Sequence, residues 1–442
     1  MKIKQFSGGF FFDASTNKLK ELFQVKQNNV AYFEPEKVVI PFDQHIGSPN
    51  KLIKKVGDFV TKGEIIAKSS ADISGHVHTS VTGKVIAVCE VPALGGKTQT
   101  AVVIKRDPSK NTAESLISPD FSFEKAVRAA GIVGLGGATF PTHVKLNPAS
   151  HIDVQTIILN GAECEPFIAS DDFLMQKESR KILRGGEIAR EILGAKTILV
   201  GIEKDKPKAI TAMKKAAVKI PNCHVIPLPV KYPQGGEGQL LETLIAAESP
   251  LDGRSVETGA FTINVATAFA ISESVDERKA LTHRYVTICG DVKMPQVICF
   301  PLGTQVKDLI DYCGGFIGTP SRVIHGGPMM GKSVTDLALP LTKGSNGIIV
   351  FNEAHDGKYP ESPCIRCNRC VEVCPVHLEP QNIDLAYRSG DLFTCDQLLA
   401  TACINCGCCT YVCPARRNLA ANITQASGEI KQEKEALADA NK

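Results

Sequence analysis

Two stretches hold the residues with the most chemistry. CIRCNRCVEVCP runs from Cys364 to Pro375 and CINCGCCTYVCP from Cys403 to Pro414, so the chain spaces four cysteines the same way twice. Both read C-x2-C-x2-C-x3-C-P, the pattern of a site for two [4Fe-4S] clusters. Three thiolates at gaps of two wrap one corner of a cubane, and thiolates are the soft ligands that iron–sulfur clusters select. The fourth cysteine lies too far along to close on the same cube; in such sites it ligates the other cluster. The assignment is Cys364, Cys367, Cys370 and Cys413 to one cluster, and Cys403, Cys406, Cys409 and Cys374 to the other. Pro375 and Pro414 then turn the chain away with no N–H to satisfy. Zinc is the alternative, because C-x2-C pairs also build zinc ribbons, but a zinc site takes four ligands and shows no such run. Cys395 and Cys408 fit no ligand position and read as buried small apolar residues.

A second region has the residue types of a phosphate cradle. Gly131, Gly134, Gly136 and Gly137 form a loop after a helix capped by Ser122, and a new helix begins after Pro141. Glycines ahead of a helix let backbone N–H groups approach a phosphate, and Lys145 one turn in adds charge. The loop fits neither G-x-G-x-x-G nor a P-loop. Next comes TIILNGAECEP, a β-branched run ending in Asn160, Glu163 and Glu165, where an α/β sheet puts ligand contacts at its strand ends. By spacing alone Glu163, Glu165 and Glu237 read as solvated loop residues. Cys164 reads as core packing.

These groups need elements to position them. KTILVGIE and CHVIPLPV read as strands; ESRKILRGGEIAREILGA, KPKAITAMKKAAVK and EGQLLETLIAA read as helices. The centre is therefore α/β with a largely parallel sheet. Upstream, glycine turns between short β-branched runs in KKVGDFVTKGEIIAKSSADISGHVHTSVTGKVIAV predict a small all-β sandwich. Lys68 lacks the context of a lipoylated lysine, and His76 and His78 read as surface or turn histidines more readily than as metal ligands. Downstream, RYVTICGDVKMPQVICFPLGTQVKDLIDYCGGF and SRVIHGGPMMGKSV give a hairpin, a short helix and further strand, with a tight turn at Gly326 and Gly327 and with His325 and Met329 as packing. NEAHDGKYPESP is a polar linker, QNIDLAYRSGDLFTCDQLLA a helical insertion between the cysteine motifs, and SGEIKQEKEALADANK a charged helical or frayed tail without an apolar stripe.

Composition sets the outer limits. A chain of 442 residues with 43% apolar content builds several cores. A net charge of +3 with interspersed signs argues against nucleic acid as a partner. The N-terminus lacks an apolar h-region and no eighteen apolar residues run together, so neither a secretory signal nor a spanning helix is expected. Of sixteen cysteines, ten fall between Cys364 and Cys413, which favours metal ligation in a reducing compartment over disulfides.

GLGGATFPTHVKL, NGAECEP, YPQGGEGQLL and NVATAFAI resemble the flavin- and NADH-binding motifs of the NADH-oxidising subunit of respiratory complex I. With the doubled cysteine motif, nearly the whole chain is similar to the RnfC family, found in Rnf ion-translocating ferredoxin:NAD+ oxidoreductases. The resemblance implies a multidomain α/β plus all-β protein: a barrel-sandwich hybrid over 1–115, an α/β FMN- and NADH-binding domain over 116–280, a β-grasp soluble-ligand-binding domain over 281–350, a helical two-cluster ferredoxin domain over 358–425 and a tail over 426–442.

It also implies that Gly134, Gly136, Gly137 and Lys145 surround the FMN phosphate and ribityl chain. Asn160 and Glu163 would face the flavin, Asn264 and Thr267 would close the pocket, and Glu165 and Glu237 would act at the dinucleotide. Two motifs depart from complex I: in the first loop Ala138-Thr139-Phe140 replaces Ala-Gly-Phe, with Leu135 in place of an Arg, and in NGAECEP Ala162 replaces an Asp. Because Thr adopts positive φ at a cost, an extended or right-handed path is expected at Thr139.

The implied function is that of a peripheral protein on the cytoplasmic face of the membrane. It would join FMN and NAD(H) to two [4Fe-4S] clusters, dock on membrane and iron–sulfur subunits, and receive ferredoxin's electrons indirectly. A cobalamin reductase shares these modules but differs in domain order, and a non-catalytic electron conduit is the reading from another class.

Overall fold

The computed structural model describes residues 4–440 apart from 27–28, 111–112, 148–152, 251–253 and 358, so Lys358 of the linker and the outermost residues of both termini lie outside the described residues. The first helix, α1 (Ala14–Leu22), starts where the Asp13 carboxylate accepts from the Thr16 N–H. The two-residue strand β1 (Ala31–Tyr32) follows. Neither joins the N-terminal sandwich: β1 pairs with a strand far downstream, and the Gly9 N–H donates to the Val373 carbonyl at 2.9 Å.

The sandwich comprises β2 (Lys37–Pro41), β3 (Lys51–Leu52), β4 (Phe59–Val60), β5 (Ile65–Lys68), β6 (Val77–His78), β7 (Gly83–Pro92) and β8 (Thr98–Arg106). Two antiparallel sheets, β2-β8-β7-β4 and β3-β5-β6, enclose a core of Val38, Ile40, Val60, Ile66, Val85 and Ile104. Lys68 ends β5 opposite Lys51 and occupies no hairpin tip. The expectation of surface histidines fails here: His78 is buried and His76 half-buried, and burial drives them down to about 3 and about 4 respectively.

The central module runs α2 (Phe123–Ala129), α3 (Thr142–Lys145), β9 (Thr156–Gly161), α4 (Ser170–Leu193), β10 (Thr197–Glu203), α5 (Pro207–Ala217), β11 (Cys223–Leu228), α6 (Glu237–Ile245), β12 (Ala260–Asn264) and α7 (Val265–Asp276). Ser122 stands at the N-cap of α2 but makes no side-chain capping bond. All strand pairs are parallel, in the order β11-β10-β9-β12. β9 is buried on both faces at Ile157, Ile158 and Leu159, as a strand covered by helices on each side must be. The chain leaves β9 in one direction to β10 and β11 and returns on its other side as β12, so the switch point lies between β9 and β12.

The third module contains β13 (His283–Gly290), β14 (Gln296–Pro301), α8 (Val306–Tyr312), β15 (Pro320–His325), β16 (Lys332–Ser333) and β17 (Gly347–Asn352). With β1 they form a six-stranded mixed sheet, β1-β14-β13-β17-β15-β16. One apolar core runs from β9, α4 and α7 through β13, β14 and α8, so the two modules share an interior.

The described residues from 359 onward contain helices and turns but no strand: α9 (Arg369–Glu372), α10 (Pro380–Arg388), α11 (Leu392–Gln397), α12 (Cys408–Tyr411) and α13 (Leu419–Ala440). The duplication is visible in the backbone. Left-handed residues recur 39 positions on, Arg366 with Asn405, Asn368 with Gly407 and His377 with Arg416, and α12 repeats α9 at the same offset. Cys395 and Cys408 are fully buried, as expected. α13 runs on into the tail, the helical form expected of it; Leu419, Ile423, Ala426 and Ile430 form a buried stripe at helical spacing that begins ahead of the tail and ends inside it, before the helix becomes exposed.

Candidate functional site

The glycine loop lies across the C-terminal ends of β9 and β12. Its neck is closed by two bonds, Gly134 N–H to the Phe140 carbonyl at 2.8 Å and Thr139 N–H to the Gly134 carbonyl at 3.0 Å. Gly136 rests on Asn264, where a Cβ would stand 3.3 Å from the Asn264 Cβ, while Gly137 faces open space at φ +113°. Thr139 corrects the sequence expectation, because its φ is +50°. That conformation costs about 1–2 kcal/mol for a residue with a Cβ. The surroundings hold it: the Ile46 N–H of the sandwich donates to the Thr139 carbonyl at 3.2 Å, and the Thr139 methyl packs on Gly344.

The peptide of Leu135 is gripped on both sides. Its N–H donates to Thr267 Oγ1 at 2.9 Å, and its carbonyl accepts from the Arg284 guanidinium at 2.8 Å. Arg284 is buried on β13, with burial lowering it to about 10 against the opposing pull of Asp171. Asp171 in turn accepts from Asn264 Nδ2 at 2.7 Å, while Asn264 Oδ1 caps α7 by accepting from the Ala266 N–H. Sequence reasoning missed Arg284 and Asp171; a lone arginine inside the apolar run of β13 is the signal that marks the first. Lys343, also missed, is fully buried and bonds the carbonyls of His76 and Gly131, pinning the sandwich to the start of the loop.

The remaining residues expected at the site divide into two groups. Lys145 donates to Glu237 Oε1 at 3.2 Å and to the Thr262 carbonyl at 2.8 Å, and Glu237 also accepts from Ser255 Oγ at 2.7 Å, so this group stands together beside the loop. Asn160 donates to the Gly235 carbonyl at 2.9 Å and accepts from the Ala162 N–H. Glu163 bonds the start of α4 beside Asp171. It accepts from Ser170 Oγ and from the N–H groups of Asp171 and Asp172, capping α4 where Ala169 has no side chain to do so. Burial, with Asp171 beside it, raises its pKa.

Glu165 reaches into the third module and accepts from the Met329 and Met330 N–H groups at 2.9 and 2.8 Å; burial raises it to about 7. Met329 is thus more than packing. Gly327 beneath it leaves no room for a Cβ against the Glu165 carboxylate. His325 bonds Ser345 Oγ at 2.7 Å. Cys164 accepts from the Gly235 N–H at 3.3 Å, and burial raises its thiol. An open cavity of about 290 Å³ lies beyond Glu163, lined also by Lys20, Glu203, Lys206 and Tyr232. Glu203 ends the apolar strand β10, is buried, and is pushed up to about 8.

The eight motif cysteines surround two separate cavities. Cys364, Cys367, Cys370 and Cys413 line one; Cys374, Cys403, Cys406 and Cys409 line the other. Each set takes three thiols from one motif and the last from the other. Among the described residues no three such side chains converge as a single ion requires. Four thiols around one cavity are the donor set that a [4Fe-4S] cluster takes. Left-handed residues stand between the cysteines, Arg366 and Asn368 in the first motif and Asn405 and Gly407 in the second. The Leu378 N–H donates to Cys374 Sγ at 3.3 Å and the Asn405 N–H to Cys403 Sγ at 3.4 Å.

Comparison with known proteins agrees with this layout. The family model of the RnfC barrel sandwich hybrid domain matches residues 7–109, that of the Nuo51 FMN-binding domain 127–273, and that of the SLBB domain 285–333. The chain is 42% identical over 396 residues to the C subunit of the proton-translocating ferredoxin:NAD(+) oxidoreductase complex of Clostridium ljungdahlii, covering 87% of this chain and 84% of that one. It is 41% identical over 406 residues to the C subunit of the Na(+)-translocating complex of Acetobacterium woodii, covering 90% and 91%. Among solved structures, NAD+-reducing [NiFe]-hydrogenase in the H2-reduced state superposes with a TM-score of 0.51 at 19% identity over 70% of this chain and 60% of that one, a likeness of fold.

Proposed function

The chain belongs to the RnfC family of ion-translocating ferredoxin:NAD+ oxidoreductase complexes, and we propose that it is the NAD(H)-reacting member, exchanging electrons between two [4Fe-4S] clusters and a bound FMN. When bound, FMN takes a hydride as an electron pair and releases single electrons, the form in which iron–sulfur clusters carry them. The observation that carries the reading is the pair of cavities lined by the motif cysteines in interlocked sets of four, the second of them also touched by Cys408 and one hydrogen bond from the α/β module.

In this reading the loop of Gly134, Gly136 and Gly137 receives the FMN phosphate and ribityl chain, Gly134 closing its neck through the Phe140 carbonyl, and Lys145 supplies a positive charge. Thr267 and Arg284 fix the loop from behind by holding the Leu135 peptide. Asn160 and Asn264 wall the pocket. Glu163 acts on the flavin environment through α4, and Glu165 and Glu237 serve the dinucleotide. Cys364, Cys367, Cys370 and Cys413 hold one cluster; Cys374, Cys403, Cys406 and Cys409 hold the other. The modules divide at 1–115, 116–280, 281–350 and 358–425, with contacts from Gly9, Phe10 and β1 tying the first segment to the later ones.

No described helix is long and apolar enough to cross a membrane. Kinship with C subunits of ion-translocating complexes supports placing the chain peripherally, on the cytoplasmic side of membrane and iron–sulfur subunits that bring ferredoxin's electrons to it. The test is to reduce the purified protein anaerobically with dithionite, remove the excess, and add NAD+. NADH absorbance should appear as the flavin and cluster bands recover. Failure to form NADH with both cofactors present would favour an electron conduit without dinucleotide chemistry.

A further inference from the structure

Strand β10 reads TILVGIE, and its last residue carries a carboxyl into the interior: Glu203 is only 2% exposed. Among the described residues that carboxyl has no hydrogen bond and no ion pair. A buried polar group without a partner is costly, so one that persists calls for an explanation. Glu203 lines the open cavity of about 290 Å³, as do Lys206 at the N-cap of α5 and Lys20 of α1. Neither lysine has an ion pair among the described residues, and Lys20 lies 4.5 Å from the centroid of the Phe12 ring. The volume admits several waters, with these three side chains as polar partners.

Glu163 lines the same cavity from the turn after β9, and its contacts lead inward. Its Oε1 accepts from the Asp171 N–H at 2.8 Å, and Asp171 Oδ2 accepts from Asn264 Nδ2 at 2.7 Å. Asn264 in turn lies against Gly136 of the glycine loop. Three acids on three segments thus stand in series from the cavity to the loop: Glu203, Glu163 and Asp171. Burial raises all three, Glu203 to about 8, so each can hold a proton near neutral pH. The charged groups facing them are Lys20, Asp172, Asp205 and Lys206 on the cavity side and Arg284 beside Asp171. Cys164 and Tyr232 also border the cavity, and burial pushes both up, so they stay protonated; Glu165 is taken by the Met329 and Met330 N–H groups.

We infer that the cavity and these three carboxyls conduct the proton that dinucleotide reduction consumes, from solvent to the loop pocket, with Glu203 as its point of entry. The inference rests on the flavin reading above. NAD+ takes two electrons and one proton to become NADH. Clusters carry electrons alone, so the proton needs its own way in. It leaves a hydronium ion in the cavity, binds Glu203, and passes to Glu163 and then Asp171, each carboxyl giving up one proton for the one it gains. No carboxyl is oxidised or reduced, and NADH oxidation releases the proton by the same path. Lys206, which faces both Glu163 and Glu203, offsets their charge when they ionise.

The test uses the full-length, cofactor-loaded protein. Glu203→Gln keeps the side-chain shape and removes the exchangeable acid. After dithionite reduction and removal of the excess, the variant should form NADH at least about tenfold more slowly than the wild type, the deficit widening as pH rises and hydronium becomes scarce. Formate, a small acid that fits the cavity, should restore the rate, and Glu203→Asp should retain it. Independently of turnover, the infrared difference between reduced and oxidised wild type should contain a carboxylic C=O band that shifts in heavy water and is missing from Glu203→Gln. Iron, flavin and the thermal midpoint are measured on the same samples. A wild type without flavin, or one with flavin that forms no NADH, contradicts the flavin reading itself. Loaded Glu203→Gln that matches the wild type in rate, pH profile and infrared difference overturns the proton route alone. So does a variant that is slow at every pH and gains nothing from formate, which would make Glu203 a structural residue.

Discussion

The phenol of Tyr232 donates to the carbonyl of Cys406 at 2.7 Å, joining the loop after β11 to the inner thiol cavity across 174 residues of sequence. Tyr232 is buried, and the rings of Phe10 and Phe12 from the N-terminal arm pack on it, while Phe10 stacks on Tyr411 at 4.6 Å between centroids. Three distant segments thus meet where electrons would pass from one module to the next. Tyr232→Phe removes the donor and leaves a buried carbonyl unpaired, a loss of about 1–3 kcal/mol. The expected outcome is a lower thermal midpoint with iron and flavin content retained; an unchanged midpoint would show that the bond does not hold the modules together.

Interlocked thiol sets make a specific demand on spectra. Cys370→Ala removes one ligand from the outer set only, so one cluster's EPR signal should disappear while the other persists. Loss of neither signal, or zinc by elemental analysis, contradicts the ligand assignment.

Glu237, proposed to serve the dinucleotide, is held by Lys145 and Ser255 at the start of α6. Glu237→Ala should raise the KM for NADH about tenfold, the scale of one charge-assisted hydrogen bond, with FMN content unchanged. An unaltered KM would place the dinucleotide elsewhere.

Much of this was legible in the sequence because local rules suffice for it. The parallel sheet follows from β-branched runs alternating with amphipathic helices, and the buried Cys395 and Cys408 follow from having no ligand spacing. What was not legible depended on long-range contact. Thr139 takes a left-handed conformation because Ile46, Gly134 and Gly344, from three places in the chain, hold it there. Glu163 and Glu165 are two residues apart yet turn to different partners, an α-helix N-terminus and a turn in the next module. Arg284 and Tyr232 act on loops 149 and 174 residues away, which no spacing pattern encodes.

Burial of two histidines gives the sandwich a pH dependence. Their folded-state values lie below the ordinary histidine value of 6.5, at about 3 for His78 and about 4 for His76, so the unfolded chain binds more protons between those limits. Stability is full above pH 6.5 and is lost as pH falls toward the folded-state values. At pH 5 the loss from His78 amounts to roughly 2 kcal/mol. The difference in thermal midpoint between pH 7 and pH 5 should therefore shrink in His78→Gln; an equal difference in both proteins would rule out this histidine as the source.

The central claim is that eight thiols hold two cubanes in the same chain as a flavin. Iron, acid-labile sulfide and flavin content of anaerobically purified protein measures it most directly. The account predicts about eight iron and eight sulfide per chain with one FMN, and a brown solution with broad absorbance near 400 nm. A colourless preparation, or one carrying zinc in place of iron, would contradict it.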